Sequence, residues 1–274
     1  MSRSVSGPVT LEIRDSGGKT VRRYSSSNRG SPVDATKLRI PAYWLRPPQV
    51  LSSEPGMHRF VWDTHYQPVP GIDPEYPIAA VYRNTAPDPT SPWAMPGQYT
   101  VVLTVNGTSF TQPLVVKMDP RVKTSRADLG RQFELSEQLY NEWAPLNSIN
   151  ERINSLSTQL TKLRPLTDGN SPITAQLDAF SKKLQELTGA ANPRPGDPLN
   201  LGVLIRLQAL FGILQEVDAA PTAQVSSAVE NLQREIRSVV ERWRVIESQD
   251  IPALNLQLQA AGLPELKLKE PDQK

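Results

Sequence analysis

The sequence predicts a multidomain α+β fold, an antiparallel β-sandwich followed by an antiparallel helical bundle. Three observations carry this. Of the 26 prolines in the 274 residues, 16 lie in residues 1–124. Proline is tolerated at strand edges and in loops and is costly inside helices. The first part of the chain shows period-two alternation of apolar and polar residues, as a half-buried strand requires. The second part shows apolar residues three and four apart, as a helix with one buried face requires. The expected division is 1–124 for the sandwich, 125–264 for a four-helix up-and-down bundle, and 265–274 for a flexible tail.

In chain order, Val9, Leu11 and Ile13 alternate with Thr10, Glu12 and Arg14, which predicts a strand. Asp15-Ser16-Gly17-Gly18 supplies a tight turn, and Thr20 to Tyr24 reads as the return strand. His58, Phe60 and Trp62 alternate along a second candidate strand over residues 56–63. Tyr99, Val101, Leu103 and Val105 mark a third, and Asn106-Gly107 is a strong two-residue hairpin signal. Residues 110–118 form its partner, with Pro113 pointing to an edge or a bulge. Short strands joined by turns over this length suggest a sandwich.

Beyond residue 124 the apolar seams follow. Leu139, Trp143, Leu146, Ile149 or Asn150, Ile153, Leu156, Leu160 and Leu163 form one. Ile173, Leu177, Phe180, Leu184 and Leu187 form a second. Val225, Val229, Leu232, Ile236, Val239, Trp243 and Ile246 form a third. Residues 199–217 are uniformly apolar enough to predict a well-buried helix. Ser125 with Asp128 resembles a capping box, and Ser171-Pro172 and Asp197-Pro198 place a capping side chain before a proline at the first helical position. Pro221 opens the fourth helix, Gly189 suits a left-handed C-terminal cap, and Pro145 predicts a kink.

Two insertions, residues 28–51 and 67–92, are long for hairpin loops. They and their flanks hold Tyr43, Trp44, Tyr66, Tyr76, Tyr82 and Trp93, the candidate interaction surface. These rings either pack against the sandwich or a neighbouring domain, or present a platform to a sugar or a protein.

Several chemistries are excluded. Cysteine is absent, which removes disulfides, Cys-ligated zinc and thiol catalysis. A formal net charge of +2 gives no case for nucleic acid as a partner. No apolar run approaches the roughly 20 residues a membrane helix needs, so no membrane insertion is expected. His58 and His65 flank Asp63. His58 reads as a half-buried sheet residue and Asp63 as a carboxylate bonding backbone amides at a strand end. Asp73, Glu75 and Asp88 match no calcium loop, and no carboxylate pair is placed for glycoside hydrolysis. No nucleophile elbow or phosphate loop occurs. The expectation is no catalytic residues, no metal and no cofactor.

The segment GPVTLEIRDSGGKTVRRY at residues 7–24 resembles the opening hairpin of the Ig-like domain first named in flagellar hook-capping proteins. GMHRFVWD at 56–63 is similar to that domain's Trp-Asp strand, and MPGQYTVVLTVNGTSFTQPLVVKMDPRV at 95–122 to its closing hairpin. With PWAMPG and the KMDPRV exit into helices, the chain resembles the C-terminal part of bacterial sortilin-like or BNR-propeller proteins often labelled glycosyl-hydrolase-like. The resemblance implies an Ig-like antiparallel β-sandwich with Trp62 in its core. It implies an adjoining propeller domain or another protein as partner, with carbohydrate binding or association with a glycoside hydrolase as the alternative. Any hydrolase activity would lie in a propeller this chain lacks. Residues 1–8 show no basic region followed by an apolar run, so no signal peptide is expected in this stretch. The resemblance implies export to the periplasm, cell surface or exterior as part of a longer chain.

Overall fold

The computed structural model describes residues 5, 7–28, 33–167, 172–189 and 199–268. The protein is of mixed α+β class and divides into two compact units. The first comprises Met1–Tyr140 with Gln215–Ala220, the second Asn141–Leu214 with Pro221–Lys274. Among the described residues, no helix is long and apolar enough to cross a membrane.

The first unit holds one antiparallel sheet of four strands in the order β2-β1-β3-β4. β1 is Thr10–Arg14, β2 Thr20–Ser25, β3 Gly97–Val105 and β4 Thr108–Val116. Both expected hairpins form. Asp15 accepts the Gly17 and Lys19 amides at 2.9 and 3.0 Å in the first turn. Asn106 and Gly107 have φ of 50° and 77° in the second, the doubly left-handed turn that suits strand twist. Pro113 sits on the edge strand, where its missing N–H costs no ladder bond.

A β-bulge lies between β1 and β2: Ile13 pairs with Arg22 and Arg14 with Thr20, leaving Val21 as the extra residue. A bulge of this kind re-aims side chains. Val21 joins Ile13, Ala94 and Tyr99 in the core, and Trp62, Tyr66, Leu114 and Val116 pack on them.

Residues 56–63, expected as a strand, form no ladder in the structure. Their alternation has another cause. Phe60 packs on Tyr24 with ring centroids 4.6 Å apart, and Trp62 on Tyr99 at 5.6 Å, so this segment covers the sheet face instead of extending the sheet. The described residues therefore contain one sheet, and irregular chain lies over it. His58, expected to be half-buried, is exposed, with its Nε2 2.8 Å from the Glu54 carbonyl.

The change to helix falls beside residue 124, where composition shifts, yet the first turns of α1 (Arg126–Leu163) belong with the sheet. Phe133 stands 5.4 Å from the Tyr66 ring, and the Tyr140 hydroxyl donates to the Gln67 carbonyl at 2.9 Å. The Ser125 cap forms as expected, its Oγ accepting the Asp128 amide at 3.1 Å and donating to the Asp128 carboxylate at 2.7 Å.

The second unit is helical. It contains the rest of α1, then α2 (Pro172–Thr188), α3 (Gly202–Glu216, up to Leu214), α4 (Ala223–Val245) and α5 (Ile251–Ala260). The three seams are buried, apart from half-buried Ile173 and Val225 at their starts. α3 is less buried than expected, since Ile205 and Ile213 face solvent. Gly189 takes the left-handed conformation after α2, with φ 68°. α4 is capped by Thr222, whose Oγ1 accepts the Val225 amide at 3.2 Å, so Pro221 precedes the cap. α1 runs through Pro145 without interruption. Between α4 and α5 lies one π turn, Ile246–Asp250, ahead of Pro252, whose missing N–H leaves the normal ladder incomplete. Ser171, Asp197 and Pro198 lie outside the described residues, as do residues 269–274 of the expected tail.

The start of that tail is docked, contrary to expectation. Leu266 is buried, and its amide and carbonyl are held by the Asn255 carboxamide at 2.8 and 3.0 Å. Gln159 holds the Lys267 amide and carbonyl in the same way, both at 2.8 Å. Asn154 clamps Leu199 at 2.7 and 2.9 Å. A carboxamide carries both N–H donors and an acceptor oxygen and so replaces a missing backbone partner. The substitution Asn255→Leu strips the Leu266 backbone of both bonds. Urea denaturation should then show a loss of about 1–3 kcal/mol, and an unchanged midpoint would mean that residues 263–268 are not docked.

Candidate functional site

The two insertions are fastened to each other. A parallel bridge joins Leu45 to Thr85. The Arg46 amide donates to the Thr85 carbonyl at 2.8 Å, and the Thr85 amide to the Trp44 carbonyl at 3.0 Å. Thr85 is 3% exposed, and its hydroxyl donates to the Ala79 carbonyl at 2.9 Å. The Arg46 guanidinium donates to Asn84 Oδ1 at 2.9 Å. Arg83 adopts a left-handed φ of 51°, and its amide donates to the Tyr43 carbonyl at 3.3 Å.

This fastening presents a ledge of rings. Tyr43 packs edge-on to Trp44 at 5.9 Å and lies 6.4 Å from Tyr82. Tyr43 is 60% exposed and Tyr82 70% exposed. Tyr43, Tyr76 and Tyr82 line a hollow of about 320 Å³ with Pro47, Pro48 and Arg83. Burial raises the Tyr76 phenol above its ordinary pKa. Exposed rings and prolines on a cross-braced support suit contact with another surface, because little conformational freedom is left to lose.

Tyr66 and Trp93 stand apart from that ledge. Trp93 stacks on His65, the ring centroids 3.7 Å apart, where the two residues form an antiparallel bridge. Trp93 also donates its amide to the Gln215 carboxamide at 3.0 Å and its indole N–H to the Gln215 carbonyl at 3.3 Å. Gln215 in turn donates to Ser136 Oγ at 2.8 Å, and Ser136 to the Gln132 carbonyl at 2.8 Å. Beside this chain lies a cavity of about 300 Å³ walled by Met95, Met118, Leu129 and Phe133. The six expected residues thus fall into two places, Tyr43, Trp44, Tyr76 and Tyr82 in one and Tyr66 and Trp93 in the other. The Gln132–Ser136–Gln215 chain was missed, because nothing local in the sequence ties Gln215 to Trp93.

Asp63 behaves as expected of a turn carboxylate, accepting the His65 amide at 3.2 Å. Asp88 donates its amide to the Glu75 carbonyl at 2.8 Å, and burial, then the Glu75 charge, raises its carboxyl pKa. Among the described residues, no three His, Asp or Glu side chains converge as metal ligands. No protein-family model, curated protein or solved structure matches the chain.

Burial pushes the His65 imidazole below its ordinary pKa of 6.5; the Asp63 carboxylate opposes this and Arg22 reinforces it. Below pH 6.5 the unfolded chain therefore binds a proton that the folded chain resists. His65 should make stability fall as pH drops from 6.5 toward its lowered value, and add no further slope below that value. Urea midpoints between pH about 7.5 and about 5.5 should fall more steeply for the native chain than for His65→Gln. Parallel slopes would refute the assignment.

Proposed function

We propose that the chain is a non-catalytic structural and interaction module, the C-terminal accessory part of an exported β-propeller protein. In this reading the sheet unit is an Ig-like sandwich-type module and the helical unit an up-and-down bundle. The observation that carries the proposal is the braced ledge of Tyr43, Tyr76 and Tyr82. Tyrosine is enriched where protein surfaces meet, and rigid aromatic anchors dominate their energetics. The residue blocks at 7–24, 56–63 and 95–122 supply the resemblance to the propeller-associated region.

Carbohydrate binding is the second reading. It is favoured by the exposed rings of Tyr43 and Tyr82, which line one hollow with Arg83.

Calorimetry of the chain with an adjoining propeller domain should show binding that Tyr43→Ala or Tyr82→Ala weakens about 10-fold or more. Unchanged affinity in both variants removes the ledge from the interface. A glycan array probed with the same proteins separates the readings, since sugar binding lost in both variants favours the second.

A further inference from the structure

The two edges of the sheet are built differently. Along β2 the edge carries Arg22 and Arg23, and irregular chain lies against it. The Gln67 amide donates to the Val21 carbonyl at 2.8 Å, and the Gln67 carboxamide accepts the Arg23 amide at 3.3 Å. Charges and covering chain are how proteins guard a sheet edge. β4 has neither. Its nine residues, TSFTQPLVV, include no charged side chain, and most are exposed.

The register shows which backbone groups β4 offers. The two-residue turn makes Val105 and Thr108 a hydrogen-bonded pair, and such pairs alternate along an antiparallel ladder. Thr108, Phe110, Gln112, Leu114 and Val116 therefore bond to β3. Ser109, Thr111, Pro113 and Val115 turn their backbone groups outward. Pro113 has no N–H to give. The one run with both donors and acceptors intact is Ser109 to Thr111, and its centre is Phe110.

Phe110 is 58% exposed. It ends a row of apolar side chains that crosses the sheet: Tyr24 pairs with Leu11, Leu11 with Leu103, and Leu103 with Phe110. Phe60 covers the Tyr24 end of the row, while the Phe110 end stops at the open edge.

We propose that a second copy of the chain pairs with this edge, β4 antiparallel to β4, about a two-fold axis at Phe110. Ser109 of each copy then exchanges both backbone bonds with Thr111 of the other. The two Phe110 rings face each other at a non-hydrogen-bonded site, where cross-strand aromatic pairs are closest. The apolar row runs unbroken from Tyr24 of one copy to Tyr24 of the other. The uncharged edge removes the like-charge repulsion that would oppose self-pairing, and Pro113 denies the registers shifted toward the C-terminal end of β4. The contact is short, so the expected dissociation constant is on the order of 10–100 μM. This surface is separate from the tyrosine ledge, so the two proposals fail independently.

The test uses the absence of cysteine from the chain. Phe110→Cys places two thiols on the axis with Cα atoms about 4.5 Å apart, within disulfide reach. Mild oxidation of the full chain should yield a linked dimer. Val115→Cys, exposed on the same strand but far from the axis, should not. In sedimentation equilibrium, Thr111→Pro removes an outward donor without touching the β3 ladder and should weaken the dimer about 10-fold or more. Phe110→Ser serves if that variant does not fold, which circular dichroism reports. Several outcomes overturn the proposal: a native chain monomeric at about 1 mM, a dimer indifferent to Thr111→Pro and Phe110→Ser, or equal cross-linking of both cysteine variants. So does a monomer whose β4 edge takes up an unrelated uncharged extended peptide in place of a second copy.

Discussion

Irregular chain that covers a sheet brings its own unpaired carbonyls and amides, and in the sheet unit this demand converges on Arg22. Its guanidinium donates to the Tyr66 carbonyl at 2.7 Å, approaches the Asp63 carboxylate at 3.8 Å and stacks over the Tyr24 ring at 4.9 Å. The same Tyr66 carbonyl accepts the Ser91 hydroxyl at 2.8 Å. The contacts to Tyr66 and Asp63 fix chain that has no ladder to hold it, and the Tyr24 stack ties the guanidinium to β2. The bulge at Val21 makes this geometry available, because it brings Val21 and Arg22 together opposite Ile13. A regular β2 would have sent one of the two to the opposite face, losing either a core residue or the bond to Tyr66.

The helical unit meets the same demand with carboxamides. Asn154, Gln159 and Asn255 stand on helices and each completes the backbone of a segment that is neither helix nor strand. The seams around them were legible because apolar spacing reports a buried face directly. The clamps were not. An Asn or Gln on a helix surface looks the same in sequence whether it meets water or a peptide group, and the Gln159–Lys267 bond closes over 108 residues. The same blindness turned residues 265–268 into part of an expected flexible tail, since nothing local shows that Leu266, set between Glu265 and Lys267, is buried.

Hairpins, by contrast, are local. Asp15 to Gly18 and Asn106-Gly107 carry their turn conformation in their own residues, so the β1–β2 and β3–β4 hairpins could be read, while the β1–β3 pairing that joins them could not. Residues 56–63 misled because period-two alternation records only that alternate side chains meet an apolar surface. A strand at a sheet edge and an extended segment laid across a sheet face both satisfy that. The candidate ledge was legible as composition, through its aromatics and prolines. Its bracing was not, since it depends on Thr85, a small buried residue whose two backbone bonds reach the Trp44–Arg46 stretch. Trp93 and Tyr66 belong to a different place because their partners, Gln215 and Phe133, come from the far side of residue 124.

Thr64 shows how tightly the covering chain is constrained. Its φ is 59°, a left-handed conformation that a β-branched residue adopts only at a cost of about 1–3 kcal/mol. Two bonds hold it there: its carbonyl accepts the Ala94 amide at 2.7 Å, and its hydroxyl donates to the Asp63 carbonyl at 2.7 Å. The position lies between Trp62 and Tyr66, and both rings must reach the core formed by Ile13, Val21 and Tyr99. An extended residue at 64 would carry the chain off the sheet before Tyr66 could return to it. The reversal also lets the Trp62 indole bond the His65 carbonyl at 2.9 Å and sets His65 against Trp93. The strain at one residue is thus the condition for three aromatic contacts around it, and those contacts give the open sheet face its cover.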